Sequence, residues 1–337
     1  MGGLGLLCIL WGITNALASG VPATLRATGF FESDVEKFTP AYTLWSDGLE
    51  KERHVRLPTG AVIDNSDPEN FLFPDGTAFW KTFFGGSTSG RRVPIETRYM
   101  KKNSDQWTFL SYRWNAEGTD ARLASENGET DVWDFGDGTS HAIPARFDCR
   151  ECHDGGRDPV LGFTGLNLSP AENVSSSLTL AALARQGRLS TPYATWPSIP
   201  ARSSLERQAI GTLVANCASC HRPSGRASFT GLFFQFVPDT ALEKLPIFET
   251  AVRQETGFPI PGHERDSYRI LPGDPDRSAV LYRMSSRVPG DAMPSLGTVR
   301  PPKESAELVR DWIRSLPALS VHVGPRGRPA RFRREAR

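Results

Sequence analysis

The sequence predicts an α+β multidomain protein: an all-β, sandwich-like N-terminal domain followed by an α-helical one. Three observations predict it. Thirty-one Gly and 26 Pro in 337 residues demand many turns. Short strand-like runs fill residues 40–145, and strongly amphipathic helical patterns appear only after residue 203. The length suits one large or two ordinary domains.

The first element is an apolar run, Gly2 to Ala18, ending in Ala16-Leu17-Ala18 before Ser19. It reads as a secretory signal over residues 1–18, with a short anchor as the alternative because its start has no Lys or Arg. Cys8 would leave with the signal, and an exported chain would begin near Ser19. Residues 19–145 form the expected β-rich domain. Arg53 to Leu57, Phe79 to Phe84, Val93 to Met100 and Trp107 to Trp114 are strand-like runs broken by Gly, Asp and Asn. Their aromatics are expected in the core.

Residues 146–202 hold a first cysteine motif, a short helix near Ser177 to Leu189 and a Pro-rich linker. Residues 203–320 form the second domain. Ser203-Ser204-Leu205-Glu206 is a capping-box start, with apolar residues recurring at Leu205, Ala209, Ile210, Leu213 and Val214. Leu308, Val309, Trp312, Ile313 and Leu316 form one face of a closing helix that starts near Pro302. Residues 321–337 are a basic tail, expected to be disordered; six Arg and one Glu lie between Gly324 and Arg337.

Apart from Cys8, every cysteine falls in one repeated pattern: Cys149-Arg150-Glu151-Cys152-His153 and Cys217-Ala218-Ser219-Cys220-His221. Two thiols three positions apart match the two vinyl groups of one haem, and the adjoining His can turn onto the iron. The expected cofactors are therefore two covalently bound haem c groups. Zinc, a disulfide framework and a redox dithiol remain as alternatives. Zinc ribbons separate their pairs by about 15–20 residues, against 64 between Cys152 and Cys217. None of the three accounts for a His after both pairs.

Residues 203–316 resemble a class I cytochrome c domain, with a helix leading into Cys217–Pro223 and Met293-Pro294 in a later loop. Trp45-Ser46-Asp47-Gly48, Phe73-Pro74-Asp75-Gly76-Thr77, Tyr112-Arg113-Trp114-Asn115, Ile143-Pro144-Ala145-Arg146 and Pro272-Gly273-Asp274-Pro275 extend the likeness. Together they resemble a bacterial dihaem c-type cytochrome family over nearly the whole mature chain. The resemblance implies a periplasmic electron-transfer protein of a Gram-negative bacterium. It also implies redox partners such as a quinoprotein sugar dehydrogenase and a terminal cytochrome or oxidase.

His153 and His221 are the expected proximal iron ligands. Met293 is the expected distal ligand of the second haem, ahead of Met284, which reads as core packing. For the first haem, His141 is the expected distal ligand, with His54, Met100 and His263 as further candidates. Two functions follow: an electron carrier with both irons fully ligated by protein, or a dihaem peroxidase-like enzyme with one open iron. The 39 Lys plus Arg against 38 Asp plus Glu leave no excess of positive charge for nucleic acid. No apolar run after the signal is long enough to span a membrane.

Overall fold

The structure is a computed structural model that describes residues 20–86, 90–169 and 178–317. The expected signal segment with Cys8, and the basic tail, lie outside the described residues.

Six strands form an antiparallel meander in sequence order: β1 (Glu36–Phe38), β2 (Glu50–Arg56), β3 (Ala78–Gly86), β4 (Arg92–Asn103), β5 (Gln106–Trp114) and β6 (Ala121–Leu123). Strand alternation gives the sheet two unlike faces. On one face the register aligns His54, Trp80, Tyr99 and Leu110. The 21–35 segment covers this face, with Leu25 in its core and Val21, Phe30 and Val35 packed around it.

The other face is banded. Val55, Phe79, Met100 and Phe109 make an apolar row; Arg53, Lys81, Arg98 and Ser111 make the next. Phe163, Leu168, Leu178, Leu180 and Leu183 bury the apolar row. They come from the chain around two short helices, α2 (Gly165–Leu168) and α3 (Leu180–Arg185).

The expected β-rich domain is therefore present, but its second layer is not a second large sheet. The remaining strands, β7 (Glu129–Asp134) and β8 (Ser140–Ile143), form only a two-stranded ribbon. Helical and irregular chain does the covering, because the apolar residues after residue 160 fall in turns of helix rather than in alternating runs.

The C-terminal part is built on α4 (Ser204–Cys217), α5 (Pro246–Thr250), α6 (Ala279–Ser285) and α7 (Lys303–Ser315). Ser203 caps α4 by accepting from the Glu206 N–H at 3.1 Å. The return bond of the expected box is displaced by one residue: Glu206 Oε2 accepts from the Arg202 N–H at 2.7 Å. Ala209, Ile210 and Leu213 of α4 meet Val309, Trp312 and Ile313 of α7 in one buried cluster.

The two parts are fastened by the loop before β2. Trp45 N–H donates to Asn216 Oδ1 at 2.7 Å, and its indole N–H to the Arg300 carbonyl at 2.8 Å. Asp47 Oδ1 accepts from the Val299 and Arg300 N–H groups, each at 2.8 Å. The Tyr42 ring lies flat on α4 at Gly211, where a Cβ would come within 2.0 Å of it. Only glycine permits that approach. Among the described residues no helix is long and apolar enough to cross a membrane.

Candidate functional site

A single helical turn, α1 (Cys149–His153), carries the first cysteine motif directly after the β-ribbon. Helical spacing puts Cys149 and Cys152 on one side and leaves His153 at the end of the turn. The imidazole packs edge-on to Phe109 with ring centroids 5.4 Å apart. Its Nδ1 donates to the Pro159 carbonyl at 2.6 Å. Burial drives its pKa down to about 4, so the ring is neutral at physiological pH.

The second motif follows from α4, whose last residue is Cys217. His221 N–H closes the turn on the Cys217 carbonyl at 2.9 Å. Gly225 then lets the chain fold over the motif, because a Cβ there would lie 2.3 Å from the Cys220 carbonyl oxygen. His221 Nδ1 faces the Leu232 carbonyl at 3.3 Å, and its ring meets Phe234 edge-on at 5.8 Å. Burial again lowers the imidazole's pKa, helped by Arg283 and Arg269 nearby. The two motifs thus repeat one arrangement. Each His directs Nδ1 to a backbone carbonyl and has no hydrogen-bond partner on Nε2 among the described residues. Such an outer bond fixes the tautomer and aims the other nitrogen.

The two motifs, 63 residues apart in sequence, are brought into contact. Cys220 Sγ lies 3.8 Å from the Glu151 carbonyl, inside the first motif. Ser224 Oγ donates to the Gly155 carbonyl at 2.6 Å, and Arg226 pairs with Glu151. All four cysteines are free. Burial raises the pKa of the Cys149 and Cys152 thiols, and Cys220 beside Cys152 adds to the latter. Burial, with Cys220, pushes Cys217 up to about 12.

These values bear on the alternatives. A redox dithiol works through a thiol of lowered pKa, whereas burial raises Cys149, Cys152 and Cys217. Zinc requires a tetrahedral set of ligands, and among the described residues no three His, Cys, Asp or Glu side chains come together in that way.

No family model, curated protein or solved structure matches this chain.

A cavity of about 510 Å³ lies between the banded sheet face and the second motif, within the usual range of ligand sites, about 300–1,000 Å³. Cys149 and His153 line it from α1, and Phe79, Met100 and Phe109 line it from the sheet. Ala218 and Ser219 of the second motif form part of its opposite side. Of the four motif cysteines only Cys149 lines this cavity. A free thiol and a neutral imidazole, beside a wall part apolar and part cationic, suit a covalently attached haem at the first motif.

The expected distal residues divide. Met293 N–H donates to the Arg283 carbonyl at 2.9 Å. This ties the Met293 loop to α6, whose Arg283 is close enough to act on His221. Met284 is buried in the helical core, as its reading as packing expects.

His141 is placed differently from its expected axial role. It sits buried on β8 with Nε2 2.9 Å from Glu96 Oε2, and it does not line the cavity. The reason is Glu96, a buried carboxylate on β4 that needs a second partner besides Arg98. His54 is on the opposite sheet face, paired in register with Trp80, and cannot reach the cavity. His263 lies beside Asp266 at 3.6 Å. Met100 does line the cavity.

Sequence reasoning missed the cationic row of Arg53, Lys81 and Arg98, all of which line the cavity. Its one visible signal is Lys81, a lone charge in the run Phe79-Trp80-Lys81-Thr82-Phe83-Phe84.

Proposed function

We propose that the chain is an exported, periplasmic dihaem c-type cytochrome that passes electrons between a dehydrogenase and a downstream acceptor. The contact between the two Cys-x-x-Cys-His segments carries this reading. Two attachment sites joined by Cys220 Sγ on the Glu151 carbonyl and Ser224 Oγ on the Gly155 carbonyl would suit electron exchange within one chain.

Cys149 and Cys152 would hold the first haem, and Cys217 and Cys220 the second. When bound, each haem supplies one-electron reduction and reoxidation at iron. His153 and His221 would ligate through Nε2, each held by its bond to Pro159 or Leu232. Burial keeps both rings neutral and available as ligands. Met293 would supply a thioether to the second site, which favours a higher potential than two nitrogen ligands do. The helical part, with α4 leading into the second motif and α7 packed across it, is read as a cytochrome c-like domain.

The deciding experiment is expression in a host with c-haem maturation, then a haem count per chain and a carbon monoxide titration of the reduced protein. Two covalent haems that do not take up carbon monoxide are expected. A chain without covalent haem would overturn the reading. One haem that binds carbon monoxide readily would favour the peroxidase-like alternative instead.

A further inference from the structure

Arg53, Lys81 and Arg98 occupy directly opposed positions on three adjacent strands, Arg53 facing Lys81 and Lys81 facing Arg98. Their side chains therefore project from the same face of the sheet. Like charges set opposite one another destabilise a sheet, and burying them unpaired costs more. Only Arg98 has a counter-ion: its Nε and Nη2 meet the Glu96 carboxylate at 2.8 and 3.2 Å. Among the described residues the side chains of Arg53 and Lys81 have no hydrogen-bonded or ion-paired partner.

The acids along the same cavity are engaged elsewhere: Asp67 accepts from the Glu69 N–H at 3.0 Å and from Asn70 Nδ2 at 2.8 Å, and acts on Arg222 across the cavity. Asp158 is engaged by Lys102 at 3.1 Å and by the Trp107 indole at 2.8 Å. Glu69 accepts from the Leu166 N–H, and burial pushes its carboxyl up to about 8, so it is largely neutral at pH 7. Across the cavity, Arg222 gives Nη1 to Asn70 Oδ1 at 2.9 Å but leaves its buried Nε without a partner. The wall facing Cys149 and His153 thus carries Arg53 and Lys81 with no counter-ion, beside a further unsatisfied guanidinium donor; burial, with Arg98, Arg53 and Lys51 nearby, lowers the Lys81 pKa well below its ordinary value.

We infer that this row binds the two propionate carboxylates of the first haem, so that the β-sheet, and not the motif segment alone, completes the first haem site. The inference rests on the reading of Cys149–His153 as a haem-attachment segment. Two carboxylates match Arg53 and Lys81 in number, and their negative charge would hold the Lys81 amine protonated. The cavity that holds the row also holds the motif's Cys149 and His153. The match also gives the banded face a purpose: its apolar row would meet the haem ring and its cationic row the two carboxylates.

The test uses the full, haem-loaded chain with Lys81→Met and Arg53→Met, alongside the charge-keeping Lys81→Arg and Arg53→Lys. Optical redox titration reads the midpoint of each haem, and resonance Raman reads the haem carboxylate modes. Removing a nearby positive charge favours ferric iron. Each neutral variant should shift one haem's equilibrium at least tenfold toward the oxidised form, 59 mV for a one-electron couple. Its carboxylate modes should move as well, and the charge-keeping variants should restore both.

A chain that purifies without covalent haem would overturn the underlying reading and the inference with it. A haem-loaded chain whose midpoints and carboxylate modes ignore both neutral variants would overturn the inference alone. So would a wild-type midpoint that follows inorganic phosphate at constant ionic strength and loses that dependence in the variants, since the row would then hold a free oxyanion. Carbon monoxide binding gained in Lys81→Met would place Lys81 on the iron and also overturn it.

Discussion

The Ser224 hydroxyl donates to the Gly155 carbonyl at 2.6 Å, joining the turn after one Cys-x-x-Cys-His segment to the turn after the other. Gly155 adopts φ +111°, and a Cβ there would lie 3.0 Å from the Ser224 carbonyl oxygen. The close approach therefore depends on glycine. Few covalent constraints act over the 63 residues of chain between the motifs, so this contact must come from the packing of the two parts. The Trp45–Arg300 and Asp47–Val299 bonds are part of that packing. The β-rich part and the helical part are in this sense one packed unit.

Met293 and Met284 should respond differently to truncation. On the proposed dihaem reading, Met293→Ala is expected to leave the fold intact and make the haem held by Cys217 and Cys220 reactive to carbon monoxide. Met284, buried in the helical cluster, should instead lose about 2–5 kcal/mol of stability as alanine, with no new carbon monoxide binding. Visible spectra and denaturant midpoints of the two variants decide between these roles. A Met293→Ala protein as inert to carbon monoxide as wild type would remove Met293 from the iron.

Asp47 links the β-sheet loop to the chain that follows Met293. It is buried, accepts from two N–H groups and sits at φ +54°. Asp and Asn tolerate that conformation better than most residues. Asp47→Ala should cost about 1–3 kcal/mol by orphaning those donors, and, on the proposed dihaem reading, should loosen the Met293 loop so that carbon monoxide reaches the second haem. Asp47→Asn keeps an acceptor oxygen and should lose less on both counts. Equal loss from Asn and Ala would point to the charge and not to the hydrogen bonds.

Local structure was legible in the sequence, and long-range pairing was not. The two cysteine motifs, the Ser203 cap and the apolar faces of α4 and α7 follow from spacing over a few residues. His141 shows the limit. Its closeness to the first motif in sequence suggested the haem, yet its Nε2 is taken by Glu96, 45 residues upstream. The cationic row is hidden for the same reason: Arg53, Lys81 and Arg98 become neighbours only once the register of three strands is set. The single sheet where a sandwich was expected reflects α2 and α3, whose leucines cover a face that strand patterns alone would assign to a second sheet.

Glu69 should make the protein less stable in mild alkali. Burial outweighs its bonds to Leu166 and Thr164 and raises its folded pKa from 4.5 to about 8. Between those values the folded state holds a proton that the unfolded chain releases. The resulting stability is fully present below about pH 4.5 and is lost as pH rises through about 8. Glu69→Gln, which cannot ionise, should flatten the decline and be more stable than wild type above pH 8. Denaturant midpoints from pH 5 to 9 test this, and parallel wild-type and variant profiles would count against a protonated Glu69.

Glu96 should set the acid limit by the opposite sign. Burial alone would raise its pKa, but Arg98 and then His141 outweigh burial and hold it at about 2, against 4.5 for the free side chain. The unfolded chain therefore takes up a proton in a range where the folded state does not. This contribution is present above about pH 4.5 and is lost as pH falls toward about 2. Glu96→Gln should remove that dependence and leave Arg98 without its counter-charge. The expected cost at neutral pH is about 3 kcal/mol, near the low end for a broken buried pair because Arg98 is 32% exposed. Denaturation followed from pH 2 to 7 should show a steep acid limb in wild type and a shallow one in the variant. Identical acid limbs would mean that Glu96 does not stay ionised between Arg98 and His141.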